Sequence, residues 1–504
     1  MNIRLVTDYL DNSAKNNPNK IAFSDEKRNI TFKELYIESR KIAQTLINRN
    51  MFKVPVLIYL DKSVEVISSF MGVAYSGNFY TPIDVTMPIT RIEKIIETLS
   101  PSLIITDYIH EKEVRNFSRQ TEILIYEDMQ NIEVDESLIT KTVAKVIDTD
   151  ILYVLFTSGS TGIPKGVIVS HKSVIAYTEW FKNTFLIDET TVLGNQTPFY
   201  FSMSVTDIFS TIAGCATMYI IPKQLFTFPI KLLEYISEHK INTIYWVPSA
   251  LCLVANLKAL GKRDISCLKK VLFAGESMPT KQLNMWRKQL PDVLYANLFG
   301  PTETTDICNY YIINRELLNT ETIPIGESCN NCDLLILNEK NEAVKNGESG
   351  ELCVRGSFLA YGYYNNPQKT SEVFVQNPLN PYYNELIYRT GDIVQYNDRG
   401  ELIYLGRKDF QIKHMGHRIE LGEIEVAVSS LEGILENCAL YDTKHDKIVL
   451  FYSGHDTDNE SILLAIKELV PHYMVPEKII SMKNLPHNLN GKIDRALLKK
   501  LLEE

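Results

Sequence analysis

The stretch ILYVLFTSGSTGIPKG, residues 151–166, decides the fold of this chain. Its first six residues are apolar or aromatic, and so short a run predicts a buried strand rather than a helix. The strand leads directly into glycines and hydroxyl residues, which can turn backbone N–H groups and side-chain donors toward an anion. A lysine adds a positive charge without fixed geometry. The stretch therefore predicts a strand followed by a phosphate-binding loop, whose candidate residues are Thr157, Ser158, Gly159, Ser160, Thr161, Gly162 and Lys165.

The spacing of this loop separates it from two common phosphate-binding motifs. GxxxxGK[ST] is absent, and no two of the 23 glycines lie two residues apart, which excludes GxGxxG. A Ser/Gly-rich surface turn is the simpler alternative. The strand before the loop and the Pro164-Lys165-Gly166 exit favour phosphate binding.

The segment TSGSTGIPKG resembles the phosphate loop of the adenylate-forming (AMP-binding) enzymes, which include acyl-CoA synthetases, luciferases and the adenylation domains of nonribosomal peptide synthetases. Further matching segments cover nearly the whole chain, and the layout is most similar to the stand-alone D-alanine–carrier protein ligase type. The resemblance implies an α/β fold with a large N-terminal domain, residues 1–408, and a smaller, mobile α+β C-terminal domain, residues 409–504. Asp409 matches the hinge between them.

Composition is consistent with a multidomain globular protein. The chain has 504 residues, of which 45% are hydrophobic and 23% charged, and this length predicts two or more domains. A net charge of −10 argues against a general nucleic-acid or anionic-membrane binder. The eight cysteines show no disulfide spacing, the N-terminus lacks a signal-peptide pattern, and no apolar run approaches ~18 residues. We therefore expect a soluble cytoplasmic protein with reduced thiols.

Two more strands run into glycine turns, within LKKVLFAGESMP (268–279) and LYANLFGPTETTDI (294–307). Parallel sheets bind ligands beyond the carboxyl ends of such strands. The resemblance implies nucleotide contacts for Gly275, Glu276, Asn297, Phe299 and Gly300, with Phe299 stacking on adenine and Asn297 bonding its exocyclic amine. It also implies that Thr302 contacts the α-phosphate and that Glu303 binds Mg²⁺. A single carboxylate is enough for this metal, because Mg²⁺ that bridges ATP phosphates takes most of its ligands from phosphate and water.

A third matching segment, residues 388–425, implies the ribose contacts. Asp392 is expected to accept hydrogen bonds from both ribose hydroxyls, since a carboxylate has two acceptor oxygens. Arg407 is placed to contact the same nucleotide. A hairpin around residues 397–400 is expected on local sequence alone.

The resemblance also identifies an acid-binding pocket, with one departure from the family pattern. Relatives that activate α-amino acids carry an Asp at the position of Ser202, where it pairs with the substrate ammonium. Either the substrate here has no α-ammonium, as in an aryl or hydroxy acid, or another carboxylate such as Asp306 binds the amine; Asp306 as a surface or cap residue is the alternative. The predicted pocket residues are Ser202, Met203, Thr206, Tyr245, Leu272, Ala274, Leu298, Asp306 and Ile307.

The C-terminal part matches two further family segments. Residues 413–416 are expected to face the active site during thioester formation, and we interpret His414 and His417 as surface residues rather than metal ligands. In LPHNLNGKIDR, residues 485–495, Lys492 matches the catalytic lysine that contacts the carboxylate and the α-phosphate.

Together these matches imply a ligase that uses ATP and Mg²⁺ to join a small carboxylic or amino acid to AMP and transfers it to a phosphopantetheine thiol. The chain ends nine residues after Arg495, so the expected acceptor is a separate carrier protein. An aryl- or acyl-CoA ligase that uses coenzyme A is the alternative within enzymes. A non-catalytic nucleotide sensor is the alternative outside them.

Overall fold

The chain forms two compact units in a computed structural model, which describes residues 3–159, 162–345, 347–408, 411–455, 458–487 and 493–503. Unit 1 contains Met1–Val85, Leu99–Leu155 and Gly166–Lys408. Unit 2 contains Thr86–Thr98, Phe156–Lys165 and Asp409–Glu504. Unit 2 thus includes two short segments from the N-terminal third of the sequence. The predicted domains, residues 1–408 and 409–504, stay a prediction.

A nine-stranded sheet, counted over the described residues, is the centre of unit 1. Its six central strands are parallel, and antiparallel strands close both edges. In sheet order the strands are Glu327–Ser328, Asn309–Ile312, Leu294–Phe299, Lys270–Phe273, Thr243–Trp246, Val192–Asn195, Thr217–Ile220, Ile21–Ser24 and Asn29–Thr31.

A second sheet contains the strand that precedes the predicted phosphate loop. Within the described ranges it has six strands, in the order Glu122–Ile125, Leu103–Thr106, Pro55–Tyr59, Phe79–Ile83, Ile151–Thr157 and Lys165–Ser170. Leu152, Tyr153, Val154 and Leu155 are buried, as the apolar run predicts. The predicted strand is therefore confirmed.

A third sheet is antiparallel and carries the predicted ribose segment. As far as the structure describes the chain, its strands are Cys332–Leu337, Gly350–Gly356, Leu386–Tyr396, Phe374–Gln376 and Leu402–Arg407. The last of these pairs with Leu386–Tyr396, and the turn between them includes the predicted residues 397–400.

The helices of unit 1 pack apolar faces onto one continuous core. Phe32–Ile47 begins at Thr31, whose side chain accepts from Glu34 N while Glu34 bonds back to the Thr31 N–H, a capping box. Its apolar stripe, including Phe32, Leu35 and Ile42, is buried. The α-helices are Val6–Asn16, Phe32–Ile47, Val64–Tyr75, Glu111–Phe117, Tyr126–Met129, Glu136–Val143, His171–Thr184, Met203–Ala213, Pro229–Glu238, Pro248–Asn256, Thr280–Gln289 and Pro367–Val373. Lys223–Thr227 and Thr302–Thr304 are 3₁₀-helices.

Unit 2 has its own core, which includes Ile424, Val428, Leu450 and Ile466. Its described strands are the hairpin Gln411–His414 and His417–Glu420 and the sheet Ile434–Asp442, Lys447–Gly454 and Lys478–Ser481. The helices assigned here are Ile89–Leu99, Leu421–Ser429, Asn459–Lys467 and Arg495–Glu503, with the 3₁₀-helix His472–Met474. In the described part of the chain, no helix is both long and apolar enough to cross a membrane.

Candidate active site

The candidate site in unit 1 is built around the turn that follows strand Leu294–Phe299. This strand lies beside Lys270–Phe273 in parallel register, so Gly275 and Gly300 follow neighbouring strand ends. A Cβ on Gly300 would lie 2.4 Å from the Asp306 carbonyl oxygen and 2.5 Å from Ile307 Cα. Only glycine fits there without displacing backbone, and the chain therefore folds back tightly through residues 300–307.

Asp306 lies at the end of this turn and is buried, with 2% of its surface exposed. Its Oδ2 accepts hydrogen bonds from Thr206 Oγ1 at 2.5 Å, Tyr177 Oη at 3.1 Å and Tyr245 Oη at 3.1 Å. Burial raises the pKa of Asp306 to about 6, although the three hydroxyl donors and Ser202 lower it in part. The alternative of a surface carboxylate is wrong for Asp306.

Tyr177 is the pocket residue that sequence reasoning missed. Tyr177 lies on helix His171–Thr184, and its ring is fully buried. Its hydroxyl nevertheless bonds both Thr206 and Asp306. A buried tyrosine needs a hydrogen-bond partner for its hydroxyl. A Tyr on the apolar face of a helix could therefore have indicated a buried polar group nearby.

Ser202 immediately precedes helix Met203–Ala213 and links the predicted acid pocket to the segment of the predicted metal ligand Glu303. Thr302 Oγ1 donates to Ser202 Oγ at 3.5 Å. The remaining predicted pocket residues are buried in the same core, and their contacts with a substrate stay predictions: Met203, Leu272, Ala274, Leu298 and Ile307.

A second buried polar group adjoins the pocket helix. Asp207 follows Thr206 and accepts from Asn195 Nδ2 at 2.6 Å. Burial raises the pKa of Asp207 to about 8, and the Lys62 charge lowers it only in part. Burial also lowers the pKa of Lys62 to about 7, while its Nζ donates to the Gln196 carbonyl at 3.1 Å. This group has no motif in the sequence, because Lys62 lies 134 residues before Gln196.

Glu303 is fully buried within the 3₁₀-helix Thr302–Thr304. Tyr363 Oη donates to its Oε1 at 2.6 Å, which orients the carboxylate. No cluster of three or more His, Cys, Asp or Glu residues suited to a metal occurs in the part of the chain that the structure describes. One oriented carboxylate fits Mg²⁺ that takes its other ligands from phosphates and water.

Asp392 and Arg407 face each other across the hairpin of the third sheet. Arg407 Nη1 donates to Asp392 Oδ1 at 3.1 Å and to the Thr390 carbonyl at 2.6 Å. Gly391 has a φ of +76°, and a Cβ there would lie 2.6 Å from Arg407 Nη2. The hairpin thus holds the predicted ribose residue Asp392 and the predicted nucleotide contact Arg407 in one ion pair.

The predicted adenine contacts lie near the same strand ends. Asn297 Nδ2 donates to the Pro324 carbonyl at 2.8 Å, which leaves its Oδ1 as the atom suited to accept from an amine. The Phe299 ring packs 5.6 Å from the Tyr404 ring. Glu276 accepts from Ser249 N at 2.8 Å and so caps the start of helix Pro248–Asn256.

The described part of the phosphate loop belongs to unit 2 and contacts other residues of that unit. Lys165 Nζ lies 3.1 Å from Glu420 Oε1, and Gly159 N donates to Glu423 Oε2 at 3.2 Å. Thr157 Oγ1 lies 3.5 Å from the Lys165 carbonyl, and Lys94 Nζ donates to the Gly162 carbonyl at 2.9 Å. Ser160, Thr161, the hinge Asp409 and the catalytic Lys492 lie outside the described residues, and their roles stay predictions.

The interpretation as a surface residue is wrong for His414, whereas His417 keeps part of its surface exposed. His414 is buried, with its Nε2 2.9 Å from Glu477 Oε1 and its Nδ1 3.3 Å from Tyr441 Oη. Burial lowers the pKa of His414, but hydrogen bonds to Asp446 and Glu477 outweigh it and raise the pKa to about 9. His417 is half-buried and stacks on Tyr473. The polar pattern of the segment gave no sign of these partners, which come from residues 441–477.

Comparison with known proteins supports the predicted family. A family model described as AMP-binding enzyme matches residues 10–364. A mycosubtilin synthase polypeptide from Bacillus subtilis is 32% identical over 98% of this chain, although the chain spans only 19% of that protein. D-alanine–D-alanyl carrier protein ligase from Bacillus licheniformis is 28% identical over 96% of this chain and 97% of the ligase.

A solved structure shares the fold. The adenylation domain AlmE of Vibrio cholerae, in complex with glycyl-adenosine-5'-phosphate, has a TM-score of 0.83 and 22% identity, covering 100% of this chain and 98% of that one. The predicted fold class is therefore confirmed. The family model and the matching ligase confirm the predicted class of adenylate-forming ligases. The chain belongs to the family of AMP-binding enzymes.

Proposed function

We propose that this enzyme joins a small amino acid or amino-acid-like acid to AMP, with release of pyrophosphate, and then transfers the acyl group to the phosphopantetheine thiol of a separate carrier protein. The turn after strand Leu294–Phe299 carries this proposal. Within four residues it presents two buried carboxylates with different hydroxyl donors, Glu303 and Asp306. The Glu303 carboxylate is suited to a metal ion and the Asp306 carboxylate to an amine.

The first step is phosphoryl chemistry. A carboxylate oxygen of the acid attacks the α-phosphorus of ATP, and the bond to the bridging oxygen breaks as pyrophosphate leaves with the electron pair. This reaction needs mainly positioning and neutralisation of charge. Asp392 and Arg407 are proposed to hold the ribose, Asn297 and Phe299 the adenine, and Lys492 and Thr302 the α-phosphate and incoming carboxylate. Each of these roles rests on the family resemblance of its own segment.

Glu303 is proposed to hold Mg²⁺. When bound, the ion would neutralise charge on the phosphate oxygens. Tyr363 keeps the carboxylate in one orientation through its 2.6 Å hydrogen bond. Within the chain itself, the turn through Gly300 sets Glu303 and Asp306 on one rigid segment.

The substrate is proposed to carry a protonated amine that binds Asp306. No Lys, Arg or His of the described ranges forms an ion pair with this carboxylate, and its partners are neutral hydroxyls. A buried carboxylate without a cation is costly, so a substrate ammonium would stabilise it. Ser202 leaves the usual ammonium position without a charge, which favours an amine placed to reach Asp306 instead. D-alanine is one candidate.

A carrier protein is the proposed acceptor. In the second step the thiol sulfur attacks the acyl carbon, AMP leaves, and the thiol proton passes to solvent. The carrier protein named for the Bacillus licheniformis ligase, which matches this chain over nearly its full length, supports a carrier rather than coenzyme A. The relatives do not favour the two alternatives, an aryl- or acyl-CoA ligase and a non-catalytic nucleotide sensor.

An exchange screen tests the proposal. Purified protein is incubated with ATP, Mg²⁺, labelled pyrophosphate and one acid at a time from amino, β-amino, hydroxy and aryl classes. We expect acid-dependent label in ATP with amine-bearing acids only. Exchange with hydroxy or aryl acids alone would refute the proposed substrate class. ATP binding without exchange for any acid would favour the sensor. Discharge of the product by free coenzyme A as fast as by a phosphopantetheinylated carrier would refute the proposed acceptor.

A further inference from the structure

Unit 2 places two carboxylates on the donors of the phosphate loop. Both come from the segment RIELGEIE, residues 418–425, which forms the end of strand His417–Glu420 and the start of helix Leu421–Ser429. The loop residues concerned belong to the same unit. Donors of the predicted phosphate loop are therefore bound by carboxylates of the protein itself.

Glu420 contacts the lysine of the loop. Its Oε1 lies 3.1 Å from Lys165 Nζ, and the two side chains are only 10% and 8% exposed. Gln411 Nε2 donates to the same oxygen and so orients the carboxylate. The pair is shielded from solvent, where an ion pair is screened less than at the surface.

Glu423 contacts the backbone of the loop one helical turn further on. Its Oε2 accepts from Gly159 N at 3.2 Å, while its other oxygen pairs with Arg91. Ser158 completes the arrangement, because its Oγ donates to the Arg418 carbonyl at 2.7 Å and accepts from Glu420 N at 3.1 Å. A backbone N–H, a hydroxyl and a lysine are the donors by which such a loop recognises phosphate.

We propose that Glu420 and Glu423 compete with the β- and γ-phosphates of ATP, and with product pyrophosphate, for Lys165 and the Gly159 N–H. The proposal rests on the proposed function, since it takes residues 157–165 as the phosphate loop. A donor directed at a carboxylate oxygen cannot bond a phosphate oxygen in the same place. Polyphosphate must therefore displace the two glutamates, and its apparent affinity falls by the fraction of molecules in which the loop is accessible.

This competition gives the reaction an order. The arrangement with Glu420 on Lys165 forms only after pyrophosphate has left the loop, so it opposes the reverse reaction in which pyrophosphate attacks the acyl-adenylate. Glu420 and Glu423 act here as positioning residues for the loop.

Calorimetric titration with inorganic pyrophosphate in the presence of Mg²⁺ tests the proposal on the full chain. Glu420→Gln and Glu423→Gln keep the shape of the side chain and remove its charge. We expect pyrophosphate to bind roughly tenfold more tightly to each variant than to the wild type. Glu425→Gln is the matched control, because Glu425 lies on the same helix but pairs with Arg495 and accepts from Ala439 N. Its pyrophosphate affinity should equal that of the wild type.

Equal or weaker binding by both variants, with thermal unfolding like that of the wild type, would overturn the proposal and leave the proposed function intact. Should one variant unfold early, the other decides. Tighter binding by Glu425→Gln as well would also overturn it, since the effect would then reflect general loss of negative charge. A wild type that neither binds pyrophosphate nor exchanges it into ATP would overturn the proposed function together with this inference.

Discussion

Asp306 has a pKa close to neutrality because the protein has removed its carboxylate from water. The donors that compensate are neutral hydroxyls, which stabilise the charged form less than a cation would. If the ionised form binds a substrate ammonium, the pH dependence of kcat/KM should report this group in the free enzyme.

We expect kcat/KM for an amine-bearing acid to fall as the pH drops through about 6, because protonation removes the negative charge of Asp306. Asp306→Asn should abolish this dependence and lower kcat/KM at pH 7.5 on the order of a hundredfold, the consequence of leaving a buried ammonium unpaired at about 3–5 kcal/mol. Pyrophosphate exchange between pH 5 and 8 measures both effects.

Asp207→Asn is the control, since Asp207 is an equally buried carboxylate that accepts its hydrogen bond from Asn195. The Asp207→Asn variant should show the same fall in kcat/KM near pH 6 as the wild type. The same fall in Asp306→Asn would show that Asp306 is not the titrating group.

By the family resemblance, Ser202 stands where α-amino acid-activating relatives carry an Asp, and this correspondence is a prediction. Ser202→Asp should raise the ratio of activity on α-amino acids to that on the native acid by roughly tenfold, because a new carboxylate restores about half of the free energy of the buried ion pair. Competition experiments with mixed acids measure the ratio. Ser202→Ala removes the hydroxyl without adding charge and should not raise it. An unchanged ratio in Ser202→Asp would mean that residue 202 does not face the substrate.

At the scale of elements, the hairpin of Leu386–Tyr396 and Leu402–Arg407 contains two glycines in the same conformation with different surroundings. Gly391 has a φ of +76° and Gly400 a φ of +73°. A Cβ at Gly391 would meet the Arg407 guanidinium, whereas a Cβ at Gly400 would meet nothing within 4 Å.

Gly391→Ala and Gly400→Ala should therefore both lose about 1 kcal/mol of stability to the strain of a left-handed alanine. Only the methyl group of Gly391→Ala should also displace the Arg407 side chain. We expect the KM for ATP to rise about tenfold in Gly391→Ala and to stay unchanged in Gly400→Ala, with the KM for the acid unaffected in both. Steady-state kinetics and urea unfolding measure the two effects. Equal ATP kinetics in the two variants would contradict a role of Arg407 in nucleotide binding.

The hairpin Gln411–His414 and His417–Glu420 is attached to the sheet of unit 2 through a charged histidine. The pKa of His414 is about 9 in the folded protein and near 6.5 in an unfolded chain, so the folded state binds the proton more tightly. Its stabilisation is complete below pH 6.5 and is lost as the pH rises through 9.

We expect His414→Gln to unfold at a lower urea concentration than the wild type at pH 6, and the difference to shrink by pH 10. His445→Gln is the control, since His445 is exposed in the same unit and pairs with Asp442 three residues before it. A difference between wild type and His414→Gln that is constant from pH 6 to 10 would show that the contribution of His414 is packing rather than charge.

At the scale of the whole molecule, the proposed reaction uses Lys492, which the family resemblance of residues 485–495 identifies as the catalytic lysine. Lys492→Ala should lose most adenylation, about a hundredfold or more in kcat, because a cation at the α-phosphate acts mainly on the developing charge of the transition state. ATP should still bind, as measured by equilibrium dialysis. Lys499→Ala, an exposed lysine on the following helix, serves as the control. Retained adenylation in Lys492→Ala would remove this residue from the proposed mechanism.

Several elements could be predicted from local sequence because their signals are local. The apolar run of 151–156 and the residues before Gly300 both form the predicted strands. The grouping of Thr86–Thr98 with unit 2 could not be predicted, since a helix pattern does not state which surface it will pack against. The burial of His414 could not be predicted for the same reason, because its partners follow it by 27 and 63 residues.

By itself the sequence determined the family, the order of the motifs and the residue types available for phosphate, metal and ribose binding, because each motif is a short run whose chemistry is contained in its own side chains. Only the tertiary structure decided which groups surround Asp306 and which carboxylates lie on the phosphate loop. Tyr245, Thr206 and Tyr177 precede Asp306 by 61, 100 and 129 residues, and Glu420 follows Lys165 by 255. Burial and partner choice shift a pKa or fill a binding loop only after such distant segments have packed together.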